Sequence, residues 1–80
     1  MDERIQGILE VIKDMTTDNT IPRNVKTKLE NVKVQFKTDK EISLIKDNVL
    51  SILEEISDDI NLQAFTRTQI WNLISAVEIL

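Results

Sequence analysis

ILEVIKD at residues 8–14 returns as ILEEISD at residues 52–58. Both copies carry apolar residues three and four positions apart, the spacing that stacks side chains on one face of an α-helix. Around the first copy, Ile5, Ile8, Leu9, Ile12 and Met15 form a seam. Around the second, Ile42, Ile45, Val49, Ile52 and Ile56 form another, widened by Leu53. The segment after each copy repeats as well: Val25, Leu29, Val32 and Phe36 make a third seam and Ile70, Leu73, Ile74 and Val77 a fourth, with Leu29 and Val32 answering Ile70 and Leu73. VKVQF at 32–36 alternates too briefly for a strand and is absorbed by the third seam. Aligned on the two heptapeptides, the first connection is about three residues longer than the second.

This pattern predicts an all-α fold: a four-helix up-and-down bundle in one domain, 1–80, built from two tandem αα-hairpins with helices at about 2–16, 22–36, 39–57 and 62–79. Each hairpin needs the other to cover its apolar face, and short connections favour antiparallel neighbours. The structural alternative, a two-repeat solenoid of the armadillo type, has fewer units than such stacks usually need.

Punctuation between the seams supports the division. TTDNTIP at 16–22 gathers turn formers and ends on Pro22, suited to a first helical turn because its missing N–H would be unpaired there anyway. Thr38 and Glu41 have the spacing of a capping box for the third helix. The fourth helix has two candidate starts, Asn61 and Thr66. Thr66 carries the fuller signature, a capping box with Gln69 and a hydrophobic staple between Phe65 and Ile70.

Composition excludes much chemistry. The chain has no histidine and no cysteine, which removes the commonest general base, thiolate metal sites, disulfides and most nucleophile-plus-base arrangements. A ferritin-like di-metal site needs Glu-x-x-His pairs that cannot occur here. Gly7 is the only glycine, so neither a phosphate-binding loop nor a dinucleotide fingerprint exists. No catalytic residue and no cofactor are expected, and the chain is read as a non-enzyme. MDERIQG lacks the basic flank and apolar run of a signal peptide, and no segment approaches about 18 apolar residues, so a cytoplasmic protein with no membrane association is expected.

ILEEISDDIN followed by TRTQIWNLIS, with TIPRN in the first half, resembles the small archaeal proteins grouped as uncharacterised protein family 0147. The resemblance runs from Ile8 to Leu80, and Gln63 departs from it where members carry proline. It implies an archaeal cytoplasmic protein with a bundle of the bromodomain-like type, and it implies no activity and no functional residues to carry over.

Three clusters compete as sites. Glu10 and Asp14 lie one turn apart on the first helix and Glu54 and Asp58 repeat them on the third, beside Glu55 and Asp59. Such oxygens suit Mg²⁺ or Ca²⁺, but the stronger reading is a solvated face with acids stabilised near a helix N-terminus, and no metal site is assigned. Charge is uneven: residues 1–40 hold eight Lys plus Arg against seven acids, whereas residues 41–80 hold two against seven, within a total of −4. Arg23, Lys26, Lys33 and Lys37 fall along one face of the second helix, interrupted by Glu30, and form the alternative reading of a nucleic-acid-associated accessory protein. The acidic whole and the lack of interleaved aromatics argue against nucleic acid.

The third cluster is apolar. Trp71, the only tryptophan, shares a helical face with Arg67 and could stack on it. One reading buries Trp71 as a cap on the bundle core with its indole N–H hydrogen-bonded. The other places Trp71 and Ile79 at an interface. Leu44 and Leu50 face away from the Ile42–Ile56 stripe, and Ile79 and Leu80 end the chain where apolar exposure is hard to justify. A chain this short buries only about 60% of its unfolded surface, so each leucine left in water forgoes about 1.5–3 kcal/mol. Partner binding through Leu44, Leu50, Trp71, Ile79 and Leu80, by homo-oligomerisation or docking on another protein, is the leading expectation.

Overall fold

The computed structural model describes residues 2–80, and four helices account for most of them: α1 (Glu3–Thr16), α2 (Arg23–Phe36), α3 (Ile42–Ser57) and α4 (Ala64–Glu78). Each packs against its neighbours in the chain and α4 closes the ring onto α1, while the backbones of the diagonal pairs α1–α3 and α2–α4 stand farther apart across the core. This is the up-and-down bundle that the seams predict, 33 × 21 × 18 Å and two helices thick. The closing seam between α1 and α4 is the sparsest of the four, and α3–α4 the densest.

The core repeats itself. Ile8 and Val49, Ile12 and Leu53, Met15 and Ile56, Ile21 and Leu62, Val25 and Thr66, Leu29 and Ile70, Val32 and Leu73, and Phe36 and Val77 are all buried, paired by a constant offset of 41 positions. The two hairpins are thus copies in register, Ile45 and Ile74 being buried without buried counterparts at Arg4 and Lys33, and their connections, 17–22 and 58–63, have equal length. The expectation of a longer first loop is corrected. It came from aligning the heptapeptides, which sets Ile8 opposite Ile52, whereas burial sets it opposite Val49.

The loops match bond for bond. The N–H of Asp18 donates to the Met15 carbonyl at 3.2 Å and that of Ile21 to Asp18 at 3.2 Å. Asp59 donates to Ile56 at 3.1 Å and Leu62 to Asp59 at 3.2 Å. The carboxylate of Asp18 accepts the N–H of Thr20, and that of Asp59 accepts the N–H of Asn61, each at 2.9 Å. An aspartate that bonds its own backbone two residues on makes a turn without glycine. Buried Ile21 and Leu62 then anchor both loops to the core.

Helix starts differ from the capping-box expectations. Asp2 caps α1 through the N–H of Arg4 at 2.8 Å, and the Arg4 guanidinium beside it, then that N–H, holds its carboxyl below the ordinary value. Pro22, Glu41 and Gln63 occupy the other N-cap positions in extended conformation and form no side-chain cap bond. Thr38 closes α2 instead of opening α3, its hydroxyl donating to the Gln35 carbonyl at 2.8 Å. α3 therefore begins at Ile42 rather than 39. Thr66 lies inside α4 and is buried as the counterpart of Val25, so the box with Gln69 does not form. Phe65 is 71% exposed and staples nothing.

Candidate functional site

The sparse seam between α1 and α4 is a groove of about 500 Å³, within the range of ligand-sized clefts. Ile8 and Leu73 line it from the core side, with Gly7, Ala76, Val11 and Ile79 along its length. Its cause is legible in the repeat. Under the offset of 41, α1–α4 corresponds to α3–α2, where Asn48 donates its amide to the Gln35 side chain at 3.3 Å across the seam. The counterparts of Asn48 and Gln35 are Gly7 and Ala76. A Cβ placed on Gly7 would meet no atom within 4 Å, so the seam is open where two amides close the other.

Polar pairing is lost in the same place. Lys28, on the closed seam, meets Glu55 at 2.9 Å. Its counterpart Gln69 lines the groove with an Oε1 that is buried and has no hydrogen-bond partner. A buried acceptor left unpaired costs about 1–3 kcal/mol. At the end of the groove the Arg4 guanidinium donates to the Ile79 carbonyl at 3.1 Å and pairs with Asp2 at 2.9 Å.

The five residues singled out for partner binding separate into two groups. Leu44, Trp71 and Ile79 are exposed, at 52%, 52% and 69%. Leu50 and Leu80 are partly buried against the core, which corrects the expectation that Leu50 faces away from it. Trp71 does not cap the core, because it lies outside the buried stripe of Ile70, Leu73, Ile74 and Val77 and is half exposed. The Arg67 guanidinium is spent on the end of α3, donating to the carbonyls of Ser57 at 3.3 Å and Asp59 at 2.7 Å. It satisfies the Ser57 carbonyl in the last turn of α3, the task of a C-terminal cap, and adds a second donor to the Asp59 carbonyl, which already accepts the Leu62 N–H. Of the five, only Ile79 lines the groove. Sequence reading missed Phe65, Gly7 and Ala76, although Phe65, Gln69, Asn72, Ala76 and Ile79 follow a four-three spacing along α4.

The charged clusters are arranged differently. Glu10 and Asp14 on α1 and Glu54 and Asp58 at the end of α3 belong to diagonally opposed helices of the ring. Among the described residues no group of three or more Asp and Glu converges to hold a cation. Glu55 is drawn to Lys28 on α2. Asp59 is held below the ordinary carboxylate value first by the Asn61 N–H and then by the Asn24 amide, and Asp18 likewise by the Thr20 hydroxyl and N–H. Lys33 and Lys37 of the basic stripe line a shallow cleft of about 290 Å³ against α1, where Lys13 joins them and Glu10 opposes them.

Comparison with known proteins agrees with this architecture. The family model described as Uncharacterised protein family (UPF0147) matches residues 1–80. A UPF0147 protein of Archaeoglobus fulgidus is 39% identical over 74 residues, 92% of this chain and 85% of the relative. One from Pyrococcus horikoshii is 34% identical over 80 residues, 98% of this chain and 86% of that one. A crystal structure of a UPF0147 protein from Thermoplasma acidophilum superposes with a TM-score of 0.92 at 26% identity, covering 96% of this chain and 92% of the other. Among the described residues no helix is long and apolar enough to cross a membrane.

Proposed function

We propose that this chain, which belongs to the uncharacterised protein family UPF0147, is a non-enzymatic protein–protein interaction module that self-associates or docks on another protein. The observation that carries this reading is the open α1–α4 groove, an apolar channel ending at exposed Ile79 in a chain of only 80 residues. Leu44 on α3 and Trp71 on α4 add exposed apolar surface, and Leu50 and Leu80 are partly buried against the core. Small domains retain such surface when a partner covers it. The test is affinity purification of the tagged chain, in parallel with an Ile79→Glu chain, from cells that express it. A protein recovered at fixed stoichiometry with the first and lost with the second is the expected outcome; the same eluate from both contradicts the reading.

A second reading has one supporting observation, the addition of Lys13 to Lys33 and Lys37 around one cleft. As a nucleic-acid accessory surface it predicts retention on single- or double-stranded nucleic acid that falls steeply with salt. Salt-independent passage through such a column dismisses it. The net charge of −4 and the Glu30 contact with Lys33 at 3.5 Å weigh on the other side.

A further inference from the structure

We infer that the occupant of the α1–α4 groove is the same groove of a second copy of this chain, the two meeting about a two-fold axis that passes near Asn72. The inference rests on the interaction reading above and specifies its partner. A two-fold interface must be self-complementary: whatever one residue meets must meet it in return. The exposed stripe of α4 has this property. Phe65 and Ile79 are 71% and 69% exposed and stand seven residues either side of Asn72, about 10 Å along the helix in each direction. Laid antiparallel, the stripe brings Phe65 of one copy to the Ile79 end of the other, twice over, with Asn72 facing its own equivalent.

Charge favours a second copy over an unlike partner. Phe65, Gln69, Asn72, Ala76 and Ile79 are all neutral, and the two charged residues of α4, Arg67 and Glu78, lie outside the stripe, Arg67 being bonded to the end of α3. Two chains of net charge −4 repel unless the faces that meet are uncharged. Arg4, the one charge lining the groove, is already engaged by Asp2 and the Ile79 carbonyl and offers little to an acidic partner.

The absence of cysteine makes the arrangement directly testable. Asn72→Cys places a thiol beside the proposed axis, and Thr27→Cys places one on the exposed face of α2 as a control. On mild oxidation the first is expected to give a disulfide-linked dimer and the second to remain a single chain. Light scattering of the unmodified chain from micromolar to millimolar concentration is expected to rise toward twice the monomer mass. Ala76→Glu, which drives a carboxylate into each groove, is expected to weaken association by about a hundredfold or more. Circular dichroism confirms that the variant is folded, and should it unfold, the cysteine pair decides alone. A constant monomer mass for the unmodified chain overturns the inference, as does a dimer trapped by Thr27→Cys and not by Asn72→Cys. If the mass stays monomeric while an unlike protein binds stoichiometrically and is lost with Ala76→Glu, the second copy is refuted and the interaction reading stands. If neither a second copy nor another protein binds, both fall.

Discussion

The two hairpins of this bundle share a skeleton and differ in what they do with it. α1–α2 and α3–α4 bury the same eight positions and turn through loops with the same hydrogen bonds, although DNTIP and DINLQ share only their aspartate in register. At these positions packing and the turn backbone constrain both copies, and they agree. They part company at positions facing the neighbouring hairpin. Asn48 and Gln35 knit one seam; Gly7 and Ala76 leave the other open. Function is to be sought where the duplication broke.

The largest expected effect tests how deep the equivalence runs. Leu29→Ala and Ile70→Ala each delete a fully buried side chain at matched positions, and each should cost about 2–5 kcal/mol. In a domain of this size that removes most of the stability. Urea unfolding followed by circular dichroism checks both; a loss in one below a third of that in the other means the hairpins contribute unequally to the core.

Next comes a place where they differ. Arg67 bonds two carbonyls at the end of α3, and its counterpart Lys26 makes no such bond. Arg67→Met should destabilise by about 1–3 kcal/mol and Lys26→Met by less than about 0.5 kcal/mol. Equal losses would show that the cap adds nothing beyond the packing of the side-chain stem.

A smaller effect has the opposite sign. Gly7 sits inside α1 with free space around it, so Gly7→Ala should raise stability by about 0.5–1 kcal/mol at low protein concentration. The added methyl narrows the groove, and association should weaken. A variant that is stabilised and associates as before would place the contact elsewhere.

The mildest effect lies in the loops. Asp18 and Asp59 are both held below the usual carboxylate value, so their contribution is present above the unfolded pKa, about 3.9, and declines as pH falls through the folded values. Thermal melts should show a fall in Tm below about pH 4, reduced in a double variant carrying Asp18→Asn and Asp59→Asn. Parallel acid profiles for the two proteins would assign the decline to other carboxylates.

Much of the fold was legible because helical periodicity is written in large apolar residues. All four helices bury residues of their expected seams, but in α3 Ile42 is exposed and Ile52 only partly buried, while Leu53, read as widening the stripe, is at its centre. Register within the repeat was not, since Leu9 and Leu53 read alike as letters while only Leu53 is fully buried. The capping boxes failed for a related reason: Thr38 can close one helix as readily as open the next, and Thr66 fills a core position that valine fills in the other hairpin. For the site, Ile79, Leu44 and Trp71 were recognised as surplus to the core. The groove itself was invisible, because it arises from two small residues 69 positions apart whose importance is the side chain they lack. The role of Arg67 was equally hidden, as a backbone carbonyl in want of a donor leaves no mark in a sequence.

The ring of helices is closed by the Arg4 contact with the carbonyl of Ile79, which sets the start of α1 beside the finish of α4. Because the four helices form a closed ring, the order of travel around it is a matter of where it is cut. A chain severed within 37–41 and rejoined by a short linker across the Arg4 contact would visit α3, α4, α1 and α2 in turn. It would enclose the same interior, with the groove spanned by a covalent bridge at one end.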